Sequence, residues 1–154
     1  MSVGSSAREH IHAITVYTAG VCIDETTYTA SCALGVFYSV GSRLNVARRT
    51  KCYAGGGLYA ALEAIRSVLE GIYLYTHNPR EHTPVIIKTN REDAVFCIMN
   101  PRLAPAECRV LAKFVRIMCV QCSHPVSIEA YGMENIEMGA SEAVRLASDF
   151  AQRR

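Results

Sequence analysis

The side chains able to do chemistry are few and dispersed. Cys119-Val-Gln-Cys122, with His124 just beyond, has the spacing of half a zinc site. A tetrahedral structural site needs four ligands, and no second CxxC follows. The other cysteines, Cys22, Cys32, Cys52, Cys97 and Cys108, are scattered among apolar neighbours, and the total of seven is odd. All seven read as small, reduced core residues, so no metal and no cofactor is expected. Arg109, Lys113 and Arg116 recur at i, i+4 and i+7, and Arg48, Arg49 and Lys51 stand together beside Arg43. Such groups can hold phosphate oxygens. The formal net charge of +2 on 154 residues is small, however, and a solvated basic face accounts for the same pattern.

Residues 16–20, VYTAG, raise a different question. The β-branched and aromatic run Ile14, Thr15, Val16, Tyr17 reads as a strand heading into Thr18, Ala19 and Gly20. A strand ending in a small residue and a glycine often presents a functional group at its tip. Here the group is a methyl, which neither binds a metal nor moves a proton.

The elements that would carry these residues follow from periodicity. The length suits one domain with a real core. Residues 1–10 read as a flexible lead-in and residues 11–154 as the domain. No run approaches the roughly 20 apolar residues of a membrane helix. The polar N-terminus lacks a signal-like apolar stretch, which predicts an intracellular protein of nucleus or cytoplasm. Residues 11–18 and 29–40 are expected strands. Gly41–Ser42 suggests a hairpin into a third strand over 44–53. Leu58, Ala61, Leu62, Ile65, Val68 and Leu69 repeat at helical spacing, with Gly71 as the expected terminator. PVIIKT reads as a central strand and REDAVFCIMN as a short helix. A longer helix is expected over 104–122, with Val110, Leu111, Phe114, Val115 and Met118 as its apolar face. VSIEAY alternates as a strand, and a last helix begins near Gly139. The order β-β-β-α-β-α-α-β-α predicts an α/β domain with a five-stranded mixed sheet, three hairpin-linked strands plus two more, flanked by helices.

That order resembles the ribonuclease H family, and the resemblance extends to local motifs across residues 11–152. The family's first strand carries T-D-G; this chain has Thr18-Ala19-Gly20. The first helix of the family opens on Glu in patterns such as E-L-x-A-A-I-x-A-L; Gly57-Leu58-Tyr59-Ala60-Ala61-Leu62-Glu63-Ala64-Ile65 matches with glycine in the acid's place. The fourth strand ends T-D in the family and Thr89-Asn90 here. The last helix resembles G-N-E-x-A-D-x-L-A, and Gly139-Ala140-Ser141-Glu142-Ala143-Val144-Arg145-Leu146-Ala147 puts valine at the acid. The family's G-H loop is Gly132-Met133.

The resemblance implies phosphodiester hydrolysis by two magnesium ions. Mg²⁺ takes anionic oxygen ligands, and the family's acids let two dications sit about 4 Å apart. The matching positions here, Ala19, Gly57, Asn90 and Val144, offer no carboxylate, and Met133 replaces the loop histidine. Asp24, Glu25, Glu63, Glu92, Asp93 and Glu142 are the acids from which a relocated site would have to be built, by several coordinated shifts. The segment Tyr53-Ala54-Gly55-Gly56, where relatives grip the RNA strand, keeps only backbone donors; a plain turn explains it as well.

The chain is therefore expected to be a catalytically inactive ribonuclease H-like module, a pseudonuclease, with a protein partner or its own copies as its target and no small-molecule substrate. The interface would be a sheet edge, the long helix or the loop around residues 133–138. The competing expectations are a non-cleaving binder of RNA–DNA hybrid or duplex RNA through Arg48, Arg49, Lys51, Arg109, Lys113 and Arg116, and an active nuclease with relocated acids.

Overall fold

A computed structural model describes residues 13–24, 29–53, 56–75, 83–122, 124–132 and 137–153. The strands are β1 (Ile14–Ile23), β2 (Ser31–Phe37), β3 (Val46–Thr50), β4 (Val85–Thr89) and β5 (Val126–Ala130). The helices are α1 (Leu58–Tyr75), α2 (Glu92–Met99), α3 (Ala106–Gln121) and α4 (Met138–Gln152), with a 3₁₀ turn at Pro101–Leu103. One sheet runs in the order β3-β2-β1-β4-β5. The β1–β2 and β2–β3 pairs are antiparallel; β1–β4 and β4–β5 are parallel. This is the mixed five-stranded α/β sheet that the order of elements predicts. No helix among the described residues is long and apolar enough to cross a membrane.

Two cores of unequal size sandwich the sheet. The larger joins Val16, Leu34, Val36 and Ile87 to the apolar faces of α1, α2 and α3. The smaller sets Ala19 and Phe37 against Ala143 and Ala147 of α4. Covered on both faces, β2 is buried throughout, as a central strand must be. Its small residues let the backbones close in. A Cβ on Gly35 would lie 2.2 Å from the Ala143 carbonyl oxygen and 2.9 Å from the Ala147 amide nitrogen. At the sheet's edge, β3 exposes Arg48 and Arg49, charges that discourage pairing with another strand.

Four details depart from the sequence reading. First, β1 continues to Ile23, so Ala19 and Gly20 are not a tip but are paired in register with Gly35 and Leu34 of β2. Second, the β2–β3 connection spans residues 38–45. The Asn45 side chain closes it, accepting from the Tyr38 amide and donating to the Ser39 carbonyl, each at 2.7 Å. Gly41 has φ 74° there, so the glycine is needed, although the turn is wider than a two-residue hairpin. Third, α1 runs through Gly71 to Tyr75, because packing of its apolar face outweighs one glycine's modest cost. Fourth, α3 buries Leu111, Val115 and Met118 as expected but leaves Val110 and Phe114 in solvent. The segments 25–28 and 76–82, the lead-in 1–10 and Met133 lie outside the described residues.

Gly71 and Gly35 should respond oppositely to alanine. A Cβ at Gly71 meets only the Tyr38 hydroxyl, at 3.5 Å. Gly71→Ala should therefore raise the unfolding free energy by about 0.5–1 kcal/mol in urea titrations. Gly35→Ala should lower it by about 3 kcal/mol, since backbone rather than a mobile side chain blocks the methyl. Equal effects of the two changes would contradict this packing.

Candidate functional site

The parallel ladder between β1 and β4 ends at the pair Thr18–Thr89. Beyond it β1 continues alone on that side, and its backbone groups require other partners. Asn90 supplies them. Its Oδ1 accepts from the Gly20 amide at 2.9 Å, and its Nδ2 donates to the Gly20 carbonyl at 2.9 Å. The Tyr131 hydroxyl donates to the Thr18 carbonyl at 2.8 Å, and the Thr18 hydroxyl to the Lys88 carbonyl at 2.9 Å. Burial pushes the Tyr131 phenol far above its usual range, so it remains a donor at physiological pH.

Helix α1 begins on this joint. A Cβ on Gly20 would lie 2.1 Å from the Ala61 amide nitrogen, and one on Gly57 would lie 2.9 Å from the Gly20 carbonyl oxygen and 3.3 Å from Nη1 of Arg91. The Arg91 guanidinium is anchored by Asp93, Nε to Oδ1 at 2.9 Å and Nη2 to Oδ2 at 2.8 Å. In return the arginine lowers the Asp93 carboxyl below its ordinary value.

On the other face of β1, Ala19 is buried against Ala143 and Ala147, and Val144 packs half-buried on the same group. Glu137, just before α4, accepts from Lys88 at 2.9 Å and from the Tyr17 hydroxyl. Burial and this acceptor push the Tyr17 phenol up to about 12. The contacts fix the start of α4 over β1 and β4.

Ala19 and Val144 thus pack together on the α4 face of the sheet, Gly57 sits against Gly20 at the start of α1, and Asn90 bonds the Gly20 backbone past the end of the β1–β4 ladder. What they form is a packed, neutral joint with a guanidinium at its edge. The residues present do not fit a pair of magnesium ions: they offer no carboxylate, and both ends of the Asn90 amide are committed to backbone. Nor, among the described residues, do the other acids converge. Glu63 pairs with Arg48 and Arg66, each at 3.4 Å, Asp93 with Arg91, and Glu142 with Arg145 at 2.7 Å. Asp24 is exposed after β1, Glu92 is exposed at the start of α2, and Glu25 lies outside the described residues.

The six basic residues fall into two groups. Arg48, Arg49 and Lys51 line a cleft with Tyr59, Glu63 and Arg66. A neighbouring cleft shares Tyr59, Glu63 and Arg66 and continues to Glu107, Val110 and Phe114. Arg49 donates to the Arg153 carbonyl. On α3, Arg109 donates to the Ala104 carbonyl at 3.2 Å and Arg116 to the Met99 carbonyl at 2.5 Å, with Lys113 exposed between them. Glu63 and Glu107 interrupt any path between the groups.

His124 is buried with Nδ1 3.1 Å from the Thr83 carbonyl, and burial pushes the Cys119 thiol up to about 11. Cys119, Cys122 and His124 do not assemble a ligand set. Sequence reading missed a different group: the sulfurs of Cys22, Cys32 and Cys52 come together. Pairing Cys22 with Cys32 required the strand register, which the individual strand patterns leave open.

No family model matches the chain, and no curated protein matches it. Solved structures do. A foamy viral protease–reverse transcriptase in complex with dsDNA aligns at TM-score 0.70 and 13% identity, covering 94% of this chain and 97% of that one. LC11-RNase H1, isolated from compost by a metagenomic approach, aligns at 0.65 and 13%, covering 92% and 96%. The PFV RNase H domain aligns at 0.62 and 12%, covering 89% and 93%. At these identities the likeness establishes the fold: this chain has the ribonuclease H fold.

Asn90→Asp tests the joint. A carboxylate cannot donate to the Gly20 carbonyl, and its charge would face that oxygen. The variant should lose about 1–3 kcal/mol at neutral pH. Its folded-state pKa should be raised, since only the protonated acid restores the donor. The loss should therefore shrink as pH falls through that folded value and grow as pH rises. Denaturant unfolding with and without Mg²⁺ at several pH values checks this; a variant stabilised by Mg²⁺ would contradict the joint as described.

Proposed function

We propose that this chain is a catalytically inactive ribonuclease H-fold module that acts by binding a protein partner. Inactivity is supported by the Asn90–Gly20 joint and by the arginine pairs that hold Glu63, Asp93 and Glu142. The binding role is carried by one observation. Helix α3 has a second apolar face in solvent, with Val110 81%, Phe114 47%, Ile117 42% and Val120 78% exposed. Val120 also lines a cleft with Met99 and Ile128, which extends the apolar surface beyond the helix. A contiguous exposed patch of this kind marks an interaction site.

Charge sets the partner's chemistry. Arg109, Lys113 and Arg116 run along one edge of the apolar stripe. An amphipathic helix with an acidic border would satisfy both stripe and edge. In an antiparallel pair, a second copy of α3 would place its own basic stripe along the same edge, where like charges repel. The partner proposed is therefore a different chain rather than a second copy paired antiparallel through α3.

A second reading, binding of an RNA–DNA hybrid without cleavage, has one observation behind it: the cleft of Arg48, Arg49 and Lys51 beside Tyr59. LC11-RNase H1 is also known in complex with RNA/DNA hybrid. The Glu63–Arg48 pair in that cleft weakens it as a phosphate track.

Affinity capture from the native cell should recover a stoichiometric partner that Phe114→Asp and Ile117→Asp each reduce at least tenfold, with the fold unchanged by circular dichroism. Capture unaffected by both substitutions would reject the α3 surface. Salt-sensitive hybrid binding abolished by Arg48→Glu and Lys51→Glu, with no protein captured, would favour the second reading.

A further inference from the structure

Among the described residues, Cys22, Cys32 and Cys52 are the only group of three or more His, Cys, Asp or Glu whose ligand atoms converge. Their sulfurs all lie within 4.8 Å of one another. The sheet register creates the cluster. Cys22 is paired directly with Cys32 across β1 and β2, so the two side chains share a face. Cys32 is paired with Thr50 across β2 and β3. Cys52 follows Thr50 by two residues, the strand repeat, which returns its side chain to the same face. Cys32 is buried, Cys22 half-buried and Cys52 exposed, so one side of the cluster is open to entry. The Cys32 sulfur lies 4.0 Å from the Gly56 carbonyl oxygen, in the turn that leads into α1.

We propose that Cys22, Cys32 and Cys52 form a three-thiolate site for a thiophilic closed-shell cation, Zn²⁺ or Cu(I). Soft thiolates select these ions. At a metal–sulfur distance of about 2.3 Å, three sulfurs stand about 3.8 Å apart around a tetrahedral ion and about 4.0 Å apart around a trigonal one. Both spacings fit the observed cluster. Zn²⁺ would take water as its fourth ligand on the open Cys52 side, whereas Cu(I) would be complete with three sulfurs.

Binding breaks three S–H bonds. Each sulfur keeps its electron pair and donates it to the metal, three protons go to solvent, and nothing is oxidised or reduced. The site would tie the ends of β1 and β2 to the chain just past β3. It is separate from the α3 surface and lies beside the turn that leads into α1.

The full-length chain, reduced and stripped with chelator under anaerobic conditions, is titrated with Co²⁺ as a spectroscopic probe for Zn²⁺, and separately with Cu(I) against a chromophoric competitor. The expected result is a thiolate-to-metal charge-transfer band that saturates at one ion per chain. Displacement of Co²⁺ by Zn²⁺, or a tighter competition by Cu(I), identifies the preferred cation. Cys52→Ser, an exposed position that leaves the core intact, should weaken binding at least tenfold; Cys119→Ser and Cys122→Ser should not. Alkylation with mass readout supplies a second measurement that needs no variant. Bound metal should protect Cys22, Cys32 and Cys52 and leave Cys119 and Cys122 as reactive as before. No saturable band with either metal, unchanged affinity in Cys52→Ser, or a Cys22–Cys32 disulfide as the sole stable state of the purified chain would overturn the proposal.

Discussion

The Asn90 amide laid against the Gly20 peptide is the contact on which the rest of the structure depends. A parallel ladder that stops at Thr18–Thr89 would leave a buried backbone donor and acceptor unpaired, at a cost of a few kcal/mol. A carboxamide satisfies both at once; a carboxylate satisfies only the donor. With Gly20 held in this way, Gly57 can seat the start of α1 directly on it, and Arg91 can lie at the junction under the control of Asp93. One neutral side chain thus sets the close approach of strand and helix.

The same point explains why the fold does not need acids there. Carboxylates clustered without a metal repel one another and raise each other's pKa. Ala19 instead adds its methyl to the small core under α4, where Gly35 and the alanines bring strand and helix backbones into contact. Stability at this spot comes from packing and hydrogen bonds that a pair of cations would have to displace. On the proposed reading the fold serves through its surface, and the outer face of α3 carries the exposed apolar stripe.

Much of the architecture was legible because its signals are periodic. The α1 repeat, the apolar β4 run and the order of elements each follow from spacing, and together they specify the sheet. What spacing could not reveal were features set by register and by neighbours. VYTAG reads as a strand end because small residues often punctuate strands; the antiparallel partner β2 carries β1 on to Ile23. Val110 and Phe114 read as core because α3 has two apolar faces, and a helical pattern alone does not say which one meets the sheet. Gly71 reads as a stop, yet the helix passes through it on the strength of its buried face. The elements that carry Ala19, Asn90 and Val144 were readable from spacing, whereas the hydrogen bonds that occupy Asn90 depend on where β4 ends. The three-cysteine cluster needed cross-strand pairing that no local stretch encodes.

The central claim is that the joint around Gly20 holds no paired divalent ions. Mn²⁺ titration followed by electron paramagnetic resonance tests it most directly, in the same samples assayed for cleavage of a labelled RNA–DNA hybrid. The account predicts spectra of free Mn²⁺ throughout and an intact hybrid. Two bound, spin-coupled Mn²⁺ ions accompanied by metal-dependent cleavage would contradict it.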